Sequence, residues 1–211
     1  MEKNEIKIVK PFGPSVVIAK IPNNTIEILN KYIDDIVADK KKSAELDHGN
    51  ELVGDVTQEF KLEKEIIEKS GWEKFLFDCV SQWMEIEMKA KMTKFELTTS
   101  WVVRQFENEY NPTHWHGGHI SGAGFLKVPS TLGKHYQEKT KDYRGGQLQL
   151  INGTRHFVSP STVSLTPKVG DFYFFPNYLM HTVYPFKDTK EERRSISFNA
   201  KIDKNIYNVY D

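Results

Sequence analysis

The sequence predicts an α+β chain whose core is a jelly-roll-like antiparallel sandwich, and two observations carry the prediction. Helical periodicity is confined to the part before residue 94, whereas the rest is written in short β-branched and aromatic runs punctuated by glycine and proline. Helices followed by strands, with no βαβ alternation, put the helices on one face of the β core as a buttress. With 211 residues the chain is long enough for one substantial core. A single domain over 1–211 is expected, with an N-terminal strand and helical support in 1–93 and the β core in 94–203.

The first helix is read from Asn24, a capping residue with Glu27 three positions on, through Ile26, Leu29, Ile33 and Val37 at helical spacing. A second follows the Ser70-Gly71 break, with Trp72, Phe75, Cys79, Trp83 and Ile86 on its apolar stripe. Segment 38–58, with three lysines at 40–42, reads as a solvated loop. The strands then come in order as LTTSWVVRQF, SGAGFLKV, GGQLQLI, DFYFFP, HTVYPF and RSISFNA. In DFYFFP, Phe172 and Phe174 share one face and Tyr173 and Phe175 the other, so only one pair can line a pocket. The connection 129–146 is long, polar and without period, which suits either a lid over a site or a surface insertion.

Composition excludes several functions. Lys+Arg and Asp+Glu are both 29, so no basic field exists to hold a phosphate backbone, and nucleic-acid binding is not expected. No 18-residue apolar stretch occurs and the N-terminus lacks a signal-peptide run, so a cytoplasmic location without membrane partners is expected. Cys79 is the single cysteine, which rules out an internal disulfide and a Cys-based metal site. Any metal must sit on nitrogen and oxygen.

Residues 114–121, HWHGGHIS, hold three of the seven histidines. Two residues apart on a strand share a face, so His114 and His116 can present two imidazoles to one point, and His181, opening another strand, can supply a third. Such a site suits zinc, copper, nickel or non-haem iron. By the same parity Trp115 points into the core, while His48, His135 and His156, without visible partners, are expected at the surface. In RRSISFNA, Arg193, Ser195, Ser197 and Asn199 form a polar face opposite Arg194, Ile196 and Phe198. A guanidinium on the polar face of a small barrel calls for an anionic partner such as an organic acid, unless Arg193 and Arg194 form a solvated turn after Glu191 and Glu192.

The order of these motifs from about Trp101 to Ala200 resembles the Fe(II)- and 2-oxoglutarate-dependent oxygenases. It is similar in particular to the prolyl-hydroxylase-like branch with its small bacterial and phage-encoded relatives, which would place the chain in a host cytoplasm if phage-encoded. The resemblance rests on HWH (114–116), SGAGFLKVP, YRGGQLQL, PKVGDFYFFPNYLMHTVYPF and ERRSISFN in sequence. It implies a double-stranded β-helix and an oxygenase that uses Fe(II), 2-oxoglutarate and O2 to hydroxylate a C–H bond. His114 and His181 then match the family's metal-binding histidines. Arg193, twelve residues after His181, matches the residue that pairs with the distal carboxylate of 2-oxoglutarate, with Ser195 beside it; Tyr110 matches a cosubstrate-holding tyrosine.

His116 departs from the pattern, because most of the superfamily has Asp or Glu there. Three arrangements follow: a three-histidine centre, a set that starts at His116 and has an open ligand position at Gly118, or His119 as a ligand set by the loop. Replacing a carboxylate by a neutral imidazole leaves a ferrous centre one unit more positive, which strengthens its hold on an anionic cosubstrate. A prolyl or other peptide side chain is the favoured substrate, a free amino acid or small metabolite the next. Two rivals stand beside this reading: a three-histidine cupin-type dioxygenase independent of 2-oxoglutarate, and a non-catalytic metal-binding jelly-roll module.

Overall fold

The computed structural model describes residues 4–136 and 143–207. Eleven strands are described: β1 (Ile6–Val9), β2 (Val16–Lys20), β3 (Gln58–Lys61), β4 (Phe95–Gln105), β5 (Asn111–His114), β6 (Ile120–Lys127), β7 (Leu148–Ile151), β8 (Thr162–Leu165), β9 (Asp171–Pro176), β10 (Met180–Val183) and β11 (Arg193–Ile202). The helices are α1 (Asn23–Ala38), α2 (Lys40–Glu45), α3 (Lys64–Ser70), α4 (Trp72–Met88) and α5 (Lys204–Tyr207). None of the described helices is long and apolar enough to cross a membrane.

The strands form a seven-stranded sheet, β1-β2-β9-β6-β11-β4-β3, and a four-stranded sheet, β5-β10-β7-β8, with every pairing antiparallel. This is the two-sheet jelly roll expected from the strand texture. All six strand runs read from the sequence are strands, and β1, β2 and β3 extend the large sheet with N-terminal residues.

Two apolar layers hold the sheets in place. Helices α1, α3 and α4 cover the outer face of the large sheet through Leu29, Ile33, Trp72, Phe75 and Cys79, packed on Phe172, Phe174, Ile196 and Phe198. Between the two sheets lie Phe125, Leu148, Leu150, Tyr173, Phe175 and Val183. The two faces of DFYFFP thus go to different layers. Gly122 explains the Ser-Gly strand: a Cβ there would sit 2.6 Å from the Phe172 ring and 2.7 Å from the Tyr173 carbonyl, so only glycine lets β9 lay that ring across β6.

The helical details differ from the sequence reading in four ways. Helix α1 begins at Asn23 after Pro22, without a side-chain cap, because proline's fixed φ starts the turn and leaves Asn24 inside it. Segment 38–58 is only partly loop: the three lysines lie in α2, where the Asp39 carboxylate accepts from the amides of Lys41 and Lys42. Ile86 is 52% exposed, since α4 runs past the sheet edge that buries its earlier turns. His48 is buried beside Glu51 and the Trp101 ring instead of standing at the surface, whereas His156 is exposed and His135 is half-buried against Tyr143. Part of the 129–146 connection, 137–142, lies outside the described residues, and with it the question of a lid.

Candidate active site

Pairing of β5 with β10 places His181 directly opposite His114. His116 follows β5 in a turn held at Asn177: its amide donates to the Asn177 carbonyl at 2.9 Å, and the Asn177 side-chain amide donates to the His116 carbonyl at 3.2 Å. The three imidazoles converge. Nε2 of His116 lies 3.1 Å from Nε2 of His114 and 3.2 Å from Nε2 of His181.

The far side of each ring decides which nitrogen carries the proton. Nδ1 of His114 donates to the Pro112 carbonyl at 2.7 Å, and Nδ1 of His181 to the Leu179 carbonyl at 2.8 Å. Nδ1 of His116 contacts the Ser121 hydroxyl, whose own proton goes to the Phe198 carbonyl at 2.8 Å, so Ser121 is left to accept from the ring. All three Nε2 atoms are therefore unprotonated. Three lone pairs facing one point cannot hydrogen-bond one another; a cation between them resolves the arrangement, and the donor set fits a divalent metal of the non-haem iron type.

Electrostatics keeps the rings neutral. Burial, then the neighbouring imidazoles, push His116 down to about 2. Burial and His114 push His181 down to about 3, and burial lowers His114 as well. A metal has no proton to displace at neutral pH. Ser121 is the group that orients the middle ring, and Ser121→Ala is expected to weaken metal binding by ~10–100-fold with the fold intact, read by competition with a chelator.

Beside the histidines is a cavity of about 180 Å³ between the two sheets. Arg193, Ser195, Ser197 and Asn199 of β11 reach it from the large sheet; Leu148 and Val183 wall it from the small one. Arg193 is 2% exposed, and burial lowers it to about 9. Its guanidinium donates to Oε1 of Gln105 at 2.8 Å and lies 4.7 Å from the Phe125 ring centroid, yet among the described residues Nε has no partner and no carboxylate faces it. Neighbouring Arg194, on the opposite face, is also fully buried but is paired with Glu192 and, at 2.6 Å, with Asp34. The contrast separates a structural arginine from one that awaits an anion.

Not every expected site residue is brought here. Tyr110 is 39% exposed, exchanges backbone hydrogen bonds with Asp55 and does not line the cavity. Trp115 is 64% exposed at the cavity rim, not in the core, because β5 ends at His114 and strand parity ends with it. His119 turns away: its Nδ1 accepts from the Ile202 amide at 3.0 Å and its ring stacks on Tyr207 at 3.9 Å. Sequence reading missed Trp101, Asn111, Glu59 and the 51–54 loop, all of which line the cavity. Burial and the nearby Asp47 and Glu109 raise the Glu59 carboxyl to about 7.

Known proteins agree with this geometry. Residues 99–199 match the profile of the family described as "Putative 2OG-Fe(II) oxygenase". No curated protein sequence matches the chain. Among solved structures, it is similar to a viral collagen prolyl hydroxylase from Paramecium Bursaria Chlorella virus-1 in complex with 2OG (14% identity, 88% of this chain and 94% of the other, TM-score 0.53). A prolyl hydroxylase from Trichoplax adhaerens, in complex with a hypoxia inducible factor peptide fragment, is similar at 14% identity, 93% and 87% coverage and a TM-score of 0.54. HygX from Streptomyces hygroscopicus, with nickel, 2-oxoglutarate and hygromycin B bound, is similar at 10% identity, 88% and 82% coverage and a TM-score of 0.55. These likenesses establish the shared fold, and the family match covers the segment that supplies all three histidines and Arg193. Over residues 99–199 the chain is similar to the 2OG-Fe(II) oxygenase family.

Proposed function

We propose that the protein is an Fe(II)- and 2-oxoglutarate-dependent hydroxylase acting on a C–H bond of a peptide side chain or a small metabolite. One observation carries the reading: a buried guanidinium with no carboxylate partner among the described residues shares a cavity with three convergent, unprotonated imidazole nitrogens. His114, His116 and His181 hold the metal. When bound, the ferrous ion with 2-oxoglutarate and O2 supplies an oxidant able to hydroxylate an unactivated C–H bond, with succinate and carbon dioxide released.

The chain's own residues do the placing. Arg193 binds the distal carboxylate of the cosubstrate, with the Ser195 hydroxyl beside it on the same face of β11. Gln105 fixes the guanidinium, so little side-chain freedom is lost on binding. Three neutral ligands leave a dication uncompensated by the protein, and the dianionic cosubstrate supplies the balancing charge. Trp101, Val103, Ala123, Leu148 and Val183 line the cavity with apolar surface and exclude water from the reacting atoms. Peptide and small-molecule substrates are both supported, since the Trichoplax enzyme is bound to a peptide and HygX to hygromycin B.

Anaerobic titration with Fe(II) and then 2-oxoglutarate tests the reading. A visible metal-to-ligand charge-transfer band is expected in the wild type. Iron binding without the band sinks 2-oxoglutarate as cosubstrate and favours the cupin-type alternative.

A further inference from the structure

The cavity has a second polar end that the cosubstrate does not use. Glu59 is 2% exposed, and its Oε2 is buried without a partner. Asn111, three residues before His114, likewise presents a buried Oδ1 without a partner. Both line the cavity that holds the histidines and Arg193. The Glu59 carboxyl and the Asn111 amide oxygen converge: a Cβ on Gly54 would lie 2.6 Å from Oδ1 of Asn111 and 3.0 Å from Oε1 of Glu59, the oxygen beside the unpartnered Oε2. Glycine at 54 lets the loop pass over both without filling the space between them.

Register fixes where this end lies. Glu59 of β3 is opposite Val103 of β4, which is opposite Ser195 of β11, so the three side chains stand in one row on the face that looks into the cavity. Two strand spacings put Glu59 roughly 10 Å from Ser195. The cationic wall for the cosubstrate and an acidic wall therefore face the same space from one sheet, two strands apart. β3 is the edge of the large sheet and β5, which carries Asn111, the edge of the small one, so the acceptors flank the side where a substrate can enter.

Two unpaired buried acceptors cost stability unless a donor arrives. None of the described residues hydrogen-bonds either atom, and the carboxylates of Asp47 and Glu109 deepen the negative potential at Glu59. We propose that Glu59 and Asn111 form a subsite for a protonated nitrogen of the substrate, an ammonium or guanidinium group, and that the hydroxylated molecule is therefore a basic amino acid residue or amine. The proposal rests on the oxygenase reading for the chemistry but not for the binding. Leu52, Val53 and Trp115 at the rim offer apolar surface to the aliphatic stem that such groups carry.

Calorimetric titration of the purified protein with three probes tests this. Acetyl-L-arginine amide carries a guanidinium, L-citrulline amide only an α-ammonium, and acetyl-L-citrulline amide no charge. At least one cationic probe is expected to bind tenfold or more tightly than the neutral one, and Glu59→Gln is expected to bring that ratio to about one. Preference for the capped arginine points to a residue within a chain; preference for the citrulline amide points to a free amine. Glu59→Gln is also expected to unfold at pH 8 at no lower temperature than wild type, because it removes an unpaired buried carboxylate. Equal affinity for charged and neutral probes, no binding of either cation, or a preference that survives Glu59→Gln overturns the proposal. A missing charge-transfer band with the preference intact would remove the oxygenase reading and leave the cation subsite standing.

Discussion

Arg193→Met is expected to weaken 2-oxoglutarate binding by ~100-fold or more while leaving the metal-free protein at least as stable as wild type. The two halves have one cause. Without a ligand, the guanidinium is desolvated and, among the described residues, offset only by Gln105 and the face of Phe125, so its burial costs the folded state several kcal/mol that pairing would otherwise recover (~1–4 kcal/mol is typical for replacing such groups by apolar ones). With 2-oxoglutarate bound, the same group becomes one half of a buried charge pair, and removing one half of such a pair costs ~3–5 kcal/mol, roughly two to three and a half orders of magnitude in affinity. Methionine keeps an unbranched apolar stem and removes the guanidinium that lies over Phe125. Thermal unfolding of the metal-free variant and titration of the charge-transfer band give the two readings. A variant that is destabilised and yet binds 2-oxoglutarate normally would make Arg193 a structural residue and leave the cosubstrate without its anchor.

How much of this was legible in the sequence depends on the length of each pattern. β11 alternates over ten residues, long enough to separate Arg193 and Ser195 from Ile196 and Phe198 with no knowledge of the neighbours. The stripe Trp72, Phe75, Cys79, Trp83 identified α4 for the same reason. β3 has four residues, and one glutamate in four says nothing about burial; its meaning comes from pairing with β4 far along the chain. Trp115 was misplaced because parity was carried one residue beyond the strand that justified it. His48 was misread because its burial depends on Trp101 and Glu51, one of them 53 residues away. The metal centre was legible through the H-x-H spacing, but the choice of second ligand was not, since it turns on where the chain goes after His116.

That choice is settled experimentally by alanine variants, and the expected difference is large. His116→Ala is expected to abolish stable Fe(II) binding, whereas His119→Ala is expected to retain it. In His116→Ala only His114 and His181 remain, and two imidazoles without a third protein ligand fall short of the three donors that hold an open catalytic metal site. The loss should exceed the ~10–100-fold expected from removing an orienting group such as Ser121. His119 cannot take over without dismantling its surroundings. Its ring would have to leave the Tyr207 stack and the Ile202 amide, and the turn that aims it is fixed at Gly118, whose φ is +81° and whose missing Cβ leaves the Ala200 carbonyl the 2.8 Å it occupies. An open position at Gly118, with His116 starting the set, gives the same pattern in this pair and is separated by His114→Ala, which would then keep its metal. Chelator competition on these variants, His114→Ala included, with circular dichroism to show that each is folded, separates the three arrangements. Retention of iron by His116→Ala would reassign the middle imidazole from metal ligand to a neutral wall of the cavity.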